Sequence, residues 1–170
     1  MTHFEIYDAL LAINQKMCNE CKARLDAIPK ENRTERKAVQ LEYAMYNFCN
    51  ASGLFNAFQT QQQARYERQP HSLVYSKLLP KYPKINSLYD ALGNEDKWCF
   101  IAALHPELFI RDQWVNKKEA ELAAATDCGD AKSVFELTIQ LGAVKNMFAA
   151  WEAWRIENNV FPHMFEGECE

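Results

Sequence analysis

From Ala131 to Asn158 the apolar positions Val134, Leu137, Leu141, Val144, Phe148 and Trp151 follow steps of three and four, the spacing of one helix face. The same period recurs in the other long segments, and no stretch alternates cleanly at period two. The pattern predicts an all-α chain with an aromatic-rich core.

Thr2 and Glu5 stand three apart ahead of the stripe Ile6, Leu10, Ile13, Met17, Cys21, Leu25 and Ile28, which predicts a capping box opening a first helix that Pro29 stops. Thr34 is placed to cap a second helix over about 35–68, with Ala38, Leu41, Met45, Phe48, Ser52, Phe55 and Gln59 on one face. Ser52-Gly53 in its middle marks a kink, a break or a tight helix crossing, because glycine costs about 1 kcal/mol in a helix interior. Pro70, Pro80 and Pro83 interrupt residues 69–94, leaving short helices over 72–79 and 87–92. Gly93 stops the second of these, and Asn94 is expected to cap a helix over 95–104. Pro106 is expected to start a further helix running to about Thr126. Cys128-Gly129 ends that one, Asp130 caps the last, and Pro162 follows its end.

These elements predict a single compact bundle of about five to seven helices. Residues 1–162 form one domain, with the first, second and last helices at the centre, and 163–170 form an acidic, mobile tail. A length of 170 residues and a hydrophobic share of 48% are enough for one core without a metal or disulfide staple. The start of the chain lacks the basic-then-apolar order of a secretion signal and no apolar run spans a bilayer, so a cytoplasmic, non-membrane protein is expected.

Charge changes the picture regionally. Residues 61–84 hold Arg65, Arg68, Lys77, Lys81 and Lys84 against Glu67 alone, while 85–130 hold nine acids against four bases and the whole chain is at −4. The basic stretch is interleaved with Tyr66, Tyr75 and Tyr82, and rings beside cations are what single-stranded nucleic acid needs. Flanking acids would repel such a polyanion, so an acidic protein surface ranks ahead of nucleic acid as its partner. Trp154, beyond the last stripe position, adds a ring suited to a partner or homodimer contact.

Chemistry-bearing motifs are thin. Cys18 and Cys21 form a C-x-x-C, but deep inside the first helix rather than at its N-terminus, where a dipole would activate a thiol. A metal there would need two further ligands, and the remaining cysteines and histidines are isolated in sequence. His105-Pro106-Glu107 has the H-x-E of a zinc deaminase without its downstream P-C-x-x-C, and reads more simply as a helix corner. With five glycines the usual phosphate-cradling loops are not present. No catalytic residue, metal ligand or cofactor is nominated, and no motif attaches the chain to a family.

The expectation is therefore a non-enzymatic helical adaptor or inhibitor that binds a larger cytosolic protein. Its acidic surface would cover a basic nucleic-acid channel of an enzyme, and Arg65, Arg68, Tyr75, Lys77, Lys81, Tyr82, Lys84 and Trp154 are its candidate contacts. The alternatives are a nucleic-acid accessory protein using 61–84 and a metal-dependent protein centred on Cys18 and Cys21.

Overall fold

The computed structural model describes residues 1–66 and 77–167, with the side chains of 63–66 outside the description. Its helices are α1 (His3–Ala27), α2 (Arg33–Phe48), α3 (Phe55–Tyr66), α4 (Pro83–Ala91), α5 (Asn94–Ile110), α6 (Asn116–Cys128) and α7 (Ala131–Asn158). A π-helical turn, Cys49–Leu54, joins α2 to α3 without a break in helical backbone, and a second, Arg111–Val115, joins α5 to α6. Five continuous helical rods result among the described residues, with no strand, and together they make the all-α bundle.

The caps follow local chemistry. Thr2 Oγ1 accepts from the Glu5 amide at 3.3 Å while Glu5 returns a bond to the Thr2 amide at 2.7 Å, the expected capping box. At α2 the cap is Asn32, not Thr34, because Asn32 has Glu35 three residues on and accepts from its amide at 3.3 Å. Arg36 donates to the carbonyls of Leu25 and Ile28 at 3.0 and 2.7 Å, closing the end of α1. Gly93 rather than Asn94 precedes α5, without a side-chain cap, and α4 begins at Pro83, four residues before the expected start, since proline suits the first helical position. Gly129 at φ 72° ends α6, and Asp130 caps α7 through the Ser133 amide at 3.1 Å, both as the sequence implies. Most of the helix expected over 72–79 lies outside the described residues.

The centre of the bundle is α5. Every residue from Phe100 to Leu108 is buried, and Pro106 sits inside the helix instead of opening a new one. The reason is compositional: apart from His105 and Glu107 the run from Phe100 to Ile110 is apolar, on every side of the helix, so the helix is driven to the interior as one piece. α1 and α3 pack on it, and α2 packs between α1 and α7, while α6 lies along α7. One apolar cluster joins α1, α2 and α7 through Leu10, Met45, Cys49, Val144 and Trp151, and a second joins α4, α5 and Ile6 through Ile85, Tyr89 and Phe100. Trp154, half-buried, touches both.

The Ser52-Gly53 signal resolves as both a helix irregularity and a close crossing. A Cβ on Gly53 would lie 2.7 Å from Ile110 Cδ1 and 3.3 Å from the Pro106 carbonyl oxygen. The π-turn leaves backbone to be satisfied from outside the helix, and buried Asn14 of α1 donates to the Tyr46 carbonyl at 3.2 Å. Residues 163–167, expected as a loose tail, form turns held on the bundle because Met164 and Phe165 find apolar contact there.

Two glycines of similar helical setting should therefore behave oppositely. Gly53→Val is expected to cost about 2 kcal/mol by overpacking against Ile110 and Pro106. A Cβ at Gly142 meets nothing within 4 Å, so Gly142→Ala should add about 0.5–1 kcal/mol from helix propensity. Urea unfolding of both variants checks the contrast.

Candidate functional site

Two features gather side chains whose chemistry the packing alone does not account for. The first is a buried ionic clamp between α5 and α7. Arg155 is fully buried and Glu107 is 2% exposed. Arg155 Nη2 donates to Glu107 Oε2 at 2.9 Å, and Arg155 Nε donates to Glu152 Oε2 at 2.9 Å. Arg155 Nη1 also reaches the Ala103 carbonyl at 3.4 Å, within the turn where Pro106 lacks an amide to donate. Arg111, at the start of the second π-turn, donates to Glu107 Oε1 through Nε at 3.0 Å and Nη2 at 2.6 Å.

Rings complete this arrangement. Phe148 and Phe165 each stand 4.8 Å from the Arg111 guanidinium, and Phe165 also lies 5.4 Å from that of Arg155. The His163 amide donates to Glu152 Oε1 at 2.6 Å, which ties the turns after α7 to the clamp. Burial pushes the Glu107 carboxyl up, and the guanidiniums of Arg155 and Arg111 pull it back. The geometry calls for its ionised form, since both oxygens face guanidinium donors and a proton on either would meet another donor.

A cleft of about 360 Å³ opens beside the clamp, lined among others by Lys145, Ala149, Phe165 and Glu166. Ionisable groups converge here, yet each oxygen of Glu107 and Glu152 already accepts from a protein donor, and two carboxylates balance two guanidiniums. As arranged, the group is engaged within the protein and ties α5, α7 and the turns after α7 together.

The second feature is a groove of about 500 Å³ where the start of α1, α4, the start of α5 and the turns after α7 meet. Ile6, Leu88, Val160, Phe161 and Met164 line it, with Asp96, Asn158 and Asn159 as its polar members. Asn159, Phe161 and His163 take positive φ of 52°, 44° and 58°, a strained conformation for a phenylalanine that the packing of Phe161 against Phe100 at 5.8 Å holds in place. Phe4, in the first turn of α1, is 45% exposed.

Of the residues nominated from sequence, those described fall in several different surroundings. Arg65 falls in α3, its side chain among those outside the description, and Arg68 and Tyr75 lie outside the described residues. Lys77 and Lys81 line one hollow of about 250 Å³, where Lys81 pairs with Asp112 at 2.6 Å. Tyr82 is buried in the second core, and Lys84 donates to the Glu166 carbonyl at 3.0 Å. Trp154 is half-buried between the two cores. Cys21 donates to the Val39 carbonyl at 3.5 Å and Cys18 to Asn14 Oδ1 at 3.7 Å, with both thiols pushed up by burial. Among the described residues no three metal-ligating side chains converge.

Sequence reading passed over the clamp and the groove. A register signal for the clamp was present, because Arg155 continues the stripe Val144, Phe148, Trp151 by one more step of four. A charge on a buried register demands a buried partner, and Glu107 inside the apolar run of α5 is the matching anomaly. The groove carries no such signal, being assembled from four separate elements.

Removing one clamp partner should cost far more than removing both. Arg155→Met alone is expected to destabilise by about 3–5 kcal/mol, and Glu107→Leu with Arg155→Met to recover most of that loss, read as a double-mutant cycle in urea unfolding. Buried His105, whose Nε2 stands 2.9 Å from Asn56 Oδ1, supplies a pH test, since burial lowers its pKa to about 3. The unfolded chain then takes up a proton that the folded one refuses, so stability is full above about pH 6.5 and falls by about 1.4 kcal/mol per unit below it. His105→Gln should remove that slope between about pH 6 and 4.5, as followed by unfolding across the pH range.

Compared with known proteins, the chain matches no family model, no curated protein and no solved structure.

Proposed function

We propose that this chain is a non-enzymatic interaction protein whose acidic end docks on a basic surface of a larger protein, as an adaptor or inhibitor. The observation that carries this reading is a group of exposed carboxylates beside the apolar lining of the groove. Elsewhere Glu42, Asp112, Glu119 and Glu136 pair with Arg24, Lys81, Lys145 and Lys37, while Asp26, Glu31 and Asp127, like the acids of that end, enter no ion pair among the described residues. At that end Asp96, which lines the groove, and Asp90, Glu95 and Glu157, close to lining residues in sequence, are exposed and enter no ion pair among the described residues. Unmatched carboxylates beside apolar surface suit electrostatic steering followed by burial.

A basic channel that otherwise receives nucleic acid is the version of this partner with the best charge match, and inhibition would follow from occupying it. The nucleic-acid reading of residues 61–84 has less support, because Lys81 and Lys84 are engaged within the chain and Tyr82 is core. No helix of the described residues is long and apolar enough to cross a membrane, which agrees with a partner that is not a bilayer.

The test is affinity capture from the native host with elution by a salt gradient, followed by mass spectrometry. One dominant protein should elute within the physiological to moderate salt range, and Glu95→Lys with Asp96→Lys should weaken its capture by at least about tenfold, corresponding to about 1.4 kcal/mol. Capture unaffected by both salt and charge reversal, or no specific partner, would sink the reading.

A further inference from the structure

Resting on the interaction reading, we infer that the groove takes a short cationic peptide segment of the partner, anchored by one apolar side chain. Its volume of about 500 Å³ lies within the roughly 300–1,000 Å³ of pockets that bury a compact group. Ile6, Leu88, Val160 and Met164 offer apolar contact to the anchor, while Asp96, Asn158 and Asn159 present side-chain oxygens able to accept from lysine or arginine donors at its flanks.

The surrounding charge selects the sign of those flanks. Glu95 and Asp96 stand at the start of α5, Asp90 lies two residues beyond the lining Leu88, and Glu157 adjoins Asn158. Of the nearby bases, the Met1 amine belongs to a residue that lines the groove, and Lys97 is drawn over the Tyr89 ring, with Nζ 5.0 Å from its centroid. A phosphate backbone or an anionic lipid surface would meet repulsion from these carboxylates, whereas a Lys/Arg-flanked peptide is attracted by them, Asp96 foremost.

One wall also has a fixed shape before any ligand arrives. The turns 159–167 are pinned by the His163 amide on Glu152, by Phe165 on the two guanidiniums and by Lys84 on the Glu166 carbonyl. The groove is thereby pre-formed, which lowers the ordering cost of binding a short segment.

The probe is an acetylated, amidated pentapeptide, lysine-arginine-phenylalanine-lysine-arginine, titrated into the uniformly ¹⁵N-labelled full chain. Saturable amide shifts are expected at Leu88, Asp96, Cys99, Val160 and Met164, weakening severalfold as salt rises from about 50 to about 200 mM. Replacing the phenylalanine by alanine, or the four bases by glutamates, should abolish them. Asp96→Lys should do the same while leaving the dispersion of the remaining spectrum unchanged. Absence of shifts, shifts centred elsewhere, or equal shifts with the acidic peptide would overturn the inference. So would the same amides moving with protein concentration alone, which would assign the groove to a second copy. A host partner captured through another face overturns this assignment and leaves the interaction reading standing, whereas failure of the capture itself removes that reading.

Discussion

The structure depends on one buried ion pair, Glu107 with Arg155, set beside the proline inside the central helix. Pro106 has no amide to give the Ala102 carbonyl, and the guanidinium of Arg155 enters from α7 beside that gap to bond the next carbonyl, that of Ala103, and the Glu107 carboxylate. Burying two charges is expensive unless each finds partners of good geometry. Arg111 and Glu152 supply those partners, which makes the four side chains a single unit. What the clamp secures is register as much as stability, since it fixes α5 against α7 at one point along both helices. The two π-turns flank that point, one containing Gly53 pressed on Pro106 and Ile110, the other beginning at Arg111.

From this point the proposed docking surface follows by connection. Glu152 holds the His163 amide and Phe165 covers the guanidiniums, so the turns after α7 are anchored to the clamp. The other side of those turns, through Val160, Phe161 and Met164, lines the groove with Leu88 and Asp96. The internal chemistry thus organises an external surface without any ionisable group of the clamp having to leave its partners. An interaction protein needs little more than such a fixed face with a defined charge around it.

Much of the fold was legible as pattern. The period of three and four named the helices, Thr2 with Glu5 and Gly129 with Asp130 marked their ends, and Ser52-Gly53 flagged the close crossing. The local rule failed at Pro106, because helix-start chemistry lost to an apolar run that had to be buried whole. Asn32 outcompeted Thr34 as a cap for a related reason, having Glu35 at the reciprocal position. Charge and aromaticity nominate the candidate contacts, and neither shows which lysine has an acid facing it across the fold. Lys81 and Asp112 are 31 residues apart, a pairing that only tertiary structure creates.

Native-state hydrogen exchange across α5 addresses the central claim most directly. If the clamp makes one continuous buried helix through Pro106, the amides of Leu104, Glu107, Leu108 and Ile110 should exchange only through global unfolding, with the same opening free energy and the same denaturant dependence as the centre of α7. Exchange of those amides through a separate, smaller opening centred on Pro106 would contradict it, because the helix would then be parting at the residue where Arg155 is held to join it.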